Sequence, residues 1–213
     1  YARSEGGGMV VLKRLADARR DGDEILAIIA GSAVNHDGRS NGMLAPNPDA
    51  QAEVLRKAYR DAGIDPSTVD YIEAHGTGTI LGDPIEADAL GRVIGRGRSA
   101  DCPALLGAVK SNVGHLESAA GSASLAKVAL SLQRDKVPAS INYAGPNPYI
   151  DFEGVRLKVA ETLTNIGYEP YISLNDLKEK RPAINKSMVY QLGIAGFCFG
   201  NIIMCLLYTG HGT

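Results

Sequence analysis

Cysteine is scarce: Cys102, Cys198 and Cys205 are the three in the chain. They are too few and too irregularly spaced for a disulfide framework or a zinc knuckle. A reducing, cytoplasmic setting is the expectation. No charge of one sign dominates either, since 22 Lys and Arg stand against 24 Asp and Glu for a net −2. That balance argues against nucleic acid or an anionic membrane as a partner. The opening YARSEGGG lacks the apolar core of a secretory signal. One uncharged run, LGIAGFCFGNIIMCLLY at 192–208, approaches bilayer-spanning length. Gly193, Gly196, Gly200 and Asn201 interrupt it and no basic flank follows, so a buried strand pair is expected and a membrane span is not. There is no internal repeat and no low-complexity tract.

What is present is ordinary globular composition, 45% hydrophobic and 22% charged over 213 residues, enough for one large domain. GMVVLKRL (8–15) and EILAIIAGSAV (24–34) are β-branched-rich and read as strands. Helical spacing follows over 48–63, where Val54, Leu55, Ala58, Tyr59 and Ala62 fall on one stripe. Asn47 serves as N-cap, Pro48 as the first helical residue and Gly63 as the stop. VDYIEAH (69–75) is again strand-like, Pro84 opens a helix to about 95, and ALLGAV (104–109) is a short apolar strand. A long helix is expected over about 116–134, and the small residues all round its first half predict burial in the middle of the molecule. The alternation points to an α/β fold with a mixed sheet and buried helices. Beyond Thr164 alanine recurs only at Ala183 and Ala195, which divides the chain into 1–164 and a divergent 165–213. That second part reads as the diverged end of the same domain, a polar insertion around NDLKEKR (175–181), or a segment of other origin.

Chemistry concentrates in three stretches. EAHGTGT (73–79) runs an apolar strand into a histidine, then Gly residues that let backbone approach a ligand, and Thr hydroxyls that donate and accept hydrogen bonds. VKSNVGHLE (109–117) places a second histidine beside Gly at another strand-to-helix transition. GSAVNHDGRSNGMLAPN (31–47) is rich in turn formers. A lone histidine at a strand end is usually a surface or capped residue; two in matching settings point to a site. Asp83 and Glu86 read as N-terminal helix residues without acid–base work, His36 as a solvated turn residue and His211 as incidental.

Taken in order, with YARSEGGGMVVLKRL before them, these motifs resemble the β-ketoacyl synthase (ketosynthase) domain of type I polyketide synthases over residues 1 to about 164. Animal-type fatty acid synthases share most of them. The resemblance implies a thiolase-like fold, here incomplete and mainly its C-terminal half. It implies acyltransferase chemistry, a decarboxylative Claisen condensation of acyl and malonyl-type thioesters. His75 and His115 match the family's active-site histidines and Lys110 its lysine. Two neutral imidazoles donating N–H bonds would stabilise the enolate oxygen as CO2 leaves. Lys110 would help by lowering the imidazole pKa values, with Glu117 holding its ammonium. Thr77 and Thr79 match the hydroxyls along the phosphopantetheine arm. No metal and no directly bound cofactor are implied; the substrates ride on the phosphopantetheine of acyl carrier protein, the expected partner.

Two departures qualify this. The family's nucleophilic cysteine sits in an Ala- and Ser-rich turn well before the segment at 31–47, and none of the three cysteines here has that context. The chain is therefore expected to be inactive alone in condensation, and to pair with the absent N-terminal half of a ketosynthase or with a second copy of itself. The family also closes with a Gly-Phe-Gly-Gly-Thr-Asn-Ala-His segment that completes an oxyanion hole. Phe199-Gly200 is its nearest equivalent here, with Asn201 in place of a Gly. The competing expectation is a non-catalytic remnant that binds acyl carrier protein or another component of a synthase.

Overall fold

A computed structural model describes residues 1–40, 45–162, 164–165, 191–197 and 201–207. Its regular elements are α1 (Leu15–Asp21), β1 (Ile28–Asn35), α2 (Pro48–Ala62), β2 (Val69–Glu73), α3 (Gly82–Leu90), β3 (Ala104–Gly107), α4 (Lys110–Val113), α5 (Ala120–Arg134), β4 (Lys136–Val137), β5 (Leu157–Val159), β6 (Thr164–Asn165), β7 (Gln191–Phe197) and β8 (Asn201–Leu207). Local signals set α2 as expected. Asn47 Oδ1 accepts the N–H groups of Asp49 at 3.0 Å and Ala50 at 3.2 Å. Gly63, at φ 67°, ends the helix in a left-handed cap.

Six strands form one mixed sheet in the order β1-β8-β7-β2-β3-β5. β7, β2, β3 and β5 run parallel to one another, while β8 is antiparallel to both its neighbours. The uncharged 192–208 run is thus largely a strand pair, and among the described residues no helix is long and apolar enough to cross a membrane. The short β4 and β6 pair separately.

Helices cover both faces. On one side α2, α3 and the π-helical turn Gly91–Gly95 that continues α3 bury Val54, Leu55, Tyr59, Leu90 and Ile94 against Val69 and Ile72 of β2. On the other, α5 contributes Val128 and Leu132 to a second cluster with Tyr71. From Tyr71 onward, past a register shift after Val69, side chains alternate along β2, so Ile72 faces one layer while Tyr71 and Glu73 face the other.

Three sequence expectations need correction. Residues 8–14 form no strand: Met9 and Val11 are 96% and 94% exposed, and among the described residues no strand pairs with their backbone. Only the end of that stretch is regular, as the start of α1. The helix expected over 116–134 opens with a 3-10 turn at Glu117–Ala119. It is also not buried all round: Ala120, Ser124, Val128, Ser131 and Leu132 are buried, while Gly121 and Leu130 are exposed. Small residues permit close packing on every side, but among the described residues only one side of α5 has a layer to meet.

Candidate active site

The site forms where β2 and β3 end side by side. The amide of Ala74 donates to Gly107 O at 2.7 Å, and the next residue is His75. The GTGT loop then turns back through Gly76 at φ 48° and Gly78 at φ 74°. Two carboxyls of α3 hold it. Glu86 accepts the N–H groups of His75 at 2.8 Å and Gly76 at 3.0 Å. Asp83 accepts those of Gly78 at 3.1 Å and Thr79 at 3.3 Å, and the Thr77 hydroxyl at 3.4 Å. Sequence reasoning gave neither carboxyl a part in the site. The available signal was two acidic residues at the start of a helix, just after a Gly-Thr loop. Glu86 is only 6% exposed, and burial pushes its carboxyl up to about 7 against the pull of its two amide donors.

The opposite wall starts at Val109 and carries Lys110 as the first residue of α4. Gly114, at φ 76°, then turns the chain into His115. The backbone of His115 is pinned by residues near the start of the chain: its N–H donates to Ala2 O at 2.8 Å, and its carbonyl accepts the Ser4 N–H at 3.0 Å.

The two histidines meet edge to face, ring centroids 5.4 Å apart at 87°. Burial, then the Lys110 charge and His115, drive His75 down to about 3. Burial and Lys110 also lower His115, partly offset by Glu117. Both imidazoles are neutral near pH 7. The N–H of Glu117 donates to His115 Nδ1 at 2.9 Å, which leaves the ring proton on Nε2. Glu117, expected to hold Lys110, receives Arg3 Nε at 2.8 Å and the Tyr1 hydroxyl at 3.1 Å.

A cavity of about 280 Å³ adjoins the pair, with Thr77, Lys110 and His115 beside apolar Leu90, Leu106 and Phe152 in its lining. His75 and Thr79 stand outside that lining. The hydroxyls of Thr77 and Thr79 lie 3.1 Å apart, and Thr79 Oγ1 also accepts the Gly82 N–H at 3.1 Å. His75, His115, Lys110 and Thr77 are thus brought to one place. Phe199 lies outside the described residues. Among the described residues no cluster of His, Cys, Asp and Glu is arranged to hold a metal ion.

Residues 26–144 match the model of the β-ketoacyl synthase C-terminal domain, a segment that contains both histidines, Lys110 and both threonines. The chain belongs to the β-ketoacyl synthase family. Its relatives include a phenolphthiocerol/phthiocerol polyketide synthase protein of Mycobacterium tuberculosis, 59% identical over 77% of this chain. The 5-methyl-1-naphthoate synthase of Streptomyces sahachiroi is 53% identical over 76%. Each match spans 9% of the relative's length. Among solved structures, an oxazolomycin ketosynthase domain from Streptomyces albus aligns at TM-score 0.79 and 32% identity, covering 94% of this chain and 34% of that one. The module 6 ketosynthase of the bacillaene synthase from Bacillus subtilis aligns at 0.78 and 32% identity, over 92% of this chain and 33% of that one. The fold is therefore that of the C-terminal part of a ketosynthase, thiolase-like, and the family is an acyltransferase family.

Proposed function

We propose that this chain supplies the enolate-stabilising wall of a polyketide synthase ketosynthase. The carrying observation is the edge-to-face contact of His75 and His115, both held neutral, with the proton of His115 on Nε2. A malonyl-type thioester enters on the phosphopantetheine of acyl carrier protein, with Thr77 and Thr79 along the arm. Its carboxylate C–C bond breaks, CO2 leaves, and the electron pair moves into an enolate whose oxygen receives the imidazole N–H donors. Burial, with Lys110 beside it, keeps the imidazoles uncharged, so each retains one defined donor. The enolate carbon then attacks an acyl thioester, forming a C–C bond and releasing the thiolate. The acyl thioester is carried by a cysteine elsewhere in the synthase: Cys102 is exposed in the turn before β3, at the opposite end of that strand from the histidines.

Without an acyl thioester the enolate takes a proton from water, so decarboxylation alone can be followed as CO2 release from a malonyl thioester. His75→Ala and His115→Ala are each expected to lower that release by about 10²–10³-fold, the usual effect of removing one such donor. Release that survives both substitutions unchanged, or is absent from the unaltered chain, overturns the reading.

A further inference from the structure

Glu73 is a fully buried carboxylate at the end of β2, 0% exposed, on the face that meets α5. An apolar side chain would pack there at no electrostatic cost, and a buried charge is expensive unless several partners meet it. Three do. The Val109 N–H donates to Glu73 Oε1 at 2.5 Å. The Tyr71 hydroxyl donates to Oε2 at 2.6 Å, and Lys127 Nζ of α5 lies 2.8 Å from the same oxygen.

These partners belong to the segments that make the site. The Ala74–Gly107 bond ties β2 to the end of β3, and Glu73 then takes the amide of Val109 by its side chain. His75 lies two residues beyond Glu73, and Lys110 one residue beyond Val109. Lys127 ties the same carboxylate to α5, whose N-terminus follows His115 and Glu117. We propose that Glu73 is the positioning residue that sets the spacing of the His75 and Lys110–His115 walls. It touches no substrate, and its importance for turnover rests on the enolate-stabilising reading above.

The test uses the full chain with nitrogen-15 label in its histidines, read by NMR across pH. Glu73→Gln/Lys127→Met removes both charges but keeps an oxygen for the Val109 N–H, and the Tyr71 hydroxyl can accept from the new amide. Glu73→Leu/Lys127→Met is also uncharged and apolar but has no acceptor. The Gln/Met variant is expected to titrate like the unaltered chain at His75 and His115. The Leu/Met variant, with helix content unchanged by circular dichroism, is expected to lose the single Nε2–H form of His115. Its His75 should also move up toward the ordinary 6.5. A folded Leu/Met variant with both imidazoles unchanged overturns the proposal. If Leu/Met does not fold, the Gln/Met variant decides: unchanged imidazoles support the proposal and altered ones overturn it. None of this requires turnover, so a chain that releases no CO2 sinks the functional reading while leaving this one to stand or fall on its own spectra.

Discussion

The walls that carry His75 and His115 reach the same cavity by different means. The His75 loop is tied by Asp83 and Glu86, carboxyls from the helix that follows it, through bonds spanning at most 11 residues. The His115 segment is tied by residues 2–4 through its backbone, and Arg3 and Tyr1 reach Glu117 across 114 and 116 residues, in bonds between exposed side chains. One wall is a local unit with a buried anchor. The other depends on a distant stretch of chain and on contacts open to water.

That contrast can be broken by mutation. The largest effect is expected from Glu86→Ala, which strips two part-buried amides of their buried acceptor and should destabilise the fold by about 3 kcal/mol in urea unfolding. Arg3→Ala, on the exposed wall, should leave the urea midpoint nearly unmoved; equal losses from the two would end the comparison. Gly76→Ala comes next. Gly76 sits at φ 48°, and a Cβ there would lie 2.6 Å from that of Ala108, across the seam between the walls, so a loss of about 2 kcal/mol is expected.

The pH dependence of stability follows in size. Between about 4.5 and 7 the folded chain keeps a proton on Glu86 that the unfolded chain has released, so this contribution falls as pH rises. His75 runs the other way: from about 3 to 6.5 the unfolded imidazole takes up a proton that the folded one refuses, so stability rises with pH. The two oppose each other over the shared window. Glu86→Gln should therefore steepen the rise of stability with pH there by about 1.4 kcal/mol per unit. Urea midpoints at several pH values check it, and an unchanged slope would show that Glu86 titrates as an ordinary carboxyl. A smaller loss than at Gly76 is expected at Gly78→Ala, where φ is 74° but a Cβ meets nothing within 4 Å. Backbone strain alone amounts to about 1 kcal/mol there. A loss at Gly78 exceeding that at Gly76 would mean the seam with Ala108 is not close-packed.

Legibility followed the range of the forces involved. The helix α2 could be read because its cap, its proline, its stripe and its stop are all local. The histidine pair could be read because His75 lies just past β2 and His115 just past the short α4 that follows β3, and neighbouring parallel strands bring their ends together. The VVL of residues 10–12 could not: β-branched residues make a strand only where an edge receives them. Asp83 and Glu86 were seen at a helix start, but whether such carboxyls serve their own helix or the loop before it depends on the turn between. Glu73 was readable as part of a strand. Its pairing with Lys127 was not, because that depends on which helix lies over which face of β2.

The strands latest in the chain occupy the middle of the sheet. β8 aligns Leu207 with Ile28 of β1, and β7 aligns Gln191 with Val69 of β2. While the polypeptide emerges from the ribosome, β1 and β2 therefore wait, each with an open edge, until more than a hundred further residues have been made. Pairings of such long sequence separation form slowly, and open edges recruit other chains in the interval. The α2–β2–α3 region, closed by near neighbours, can assemble first. Completion of the sheet by the β7–β8 hairpin is the step at which synthesis rate and chaperone access bear most on the yield of folded protein.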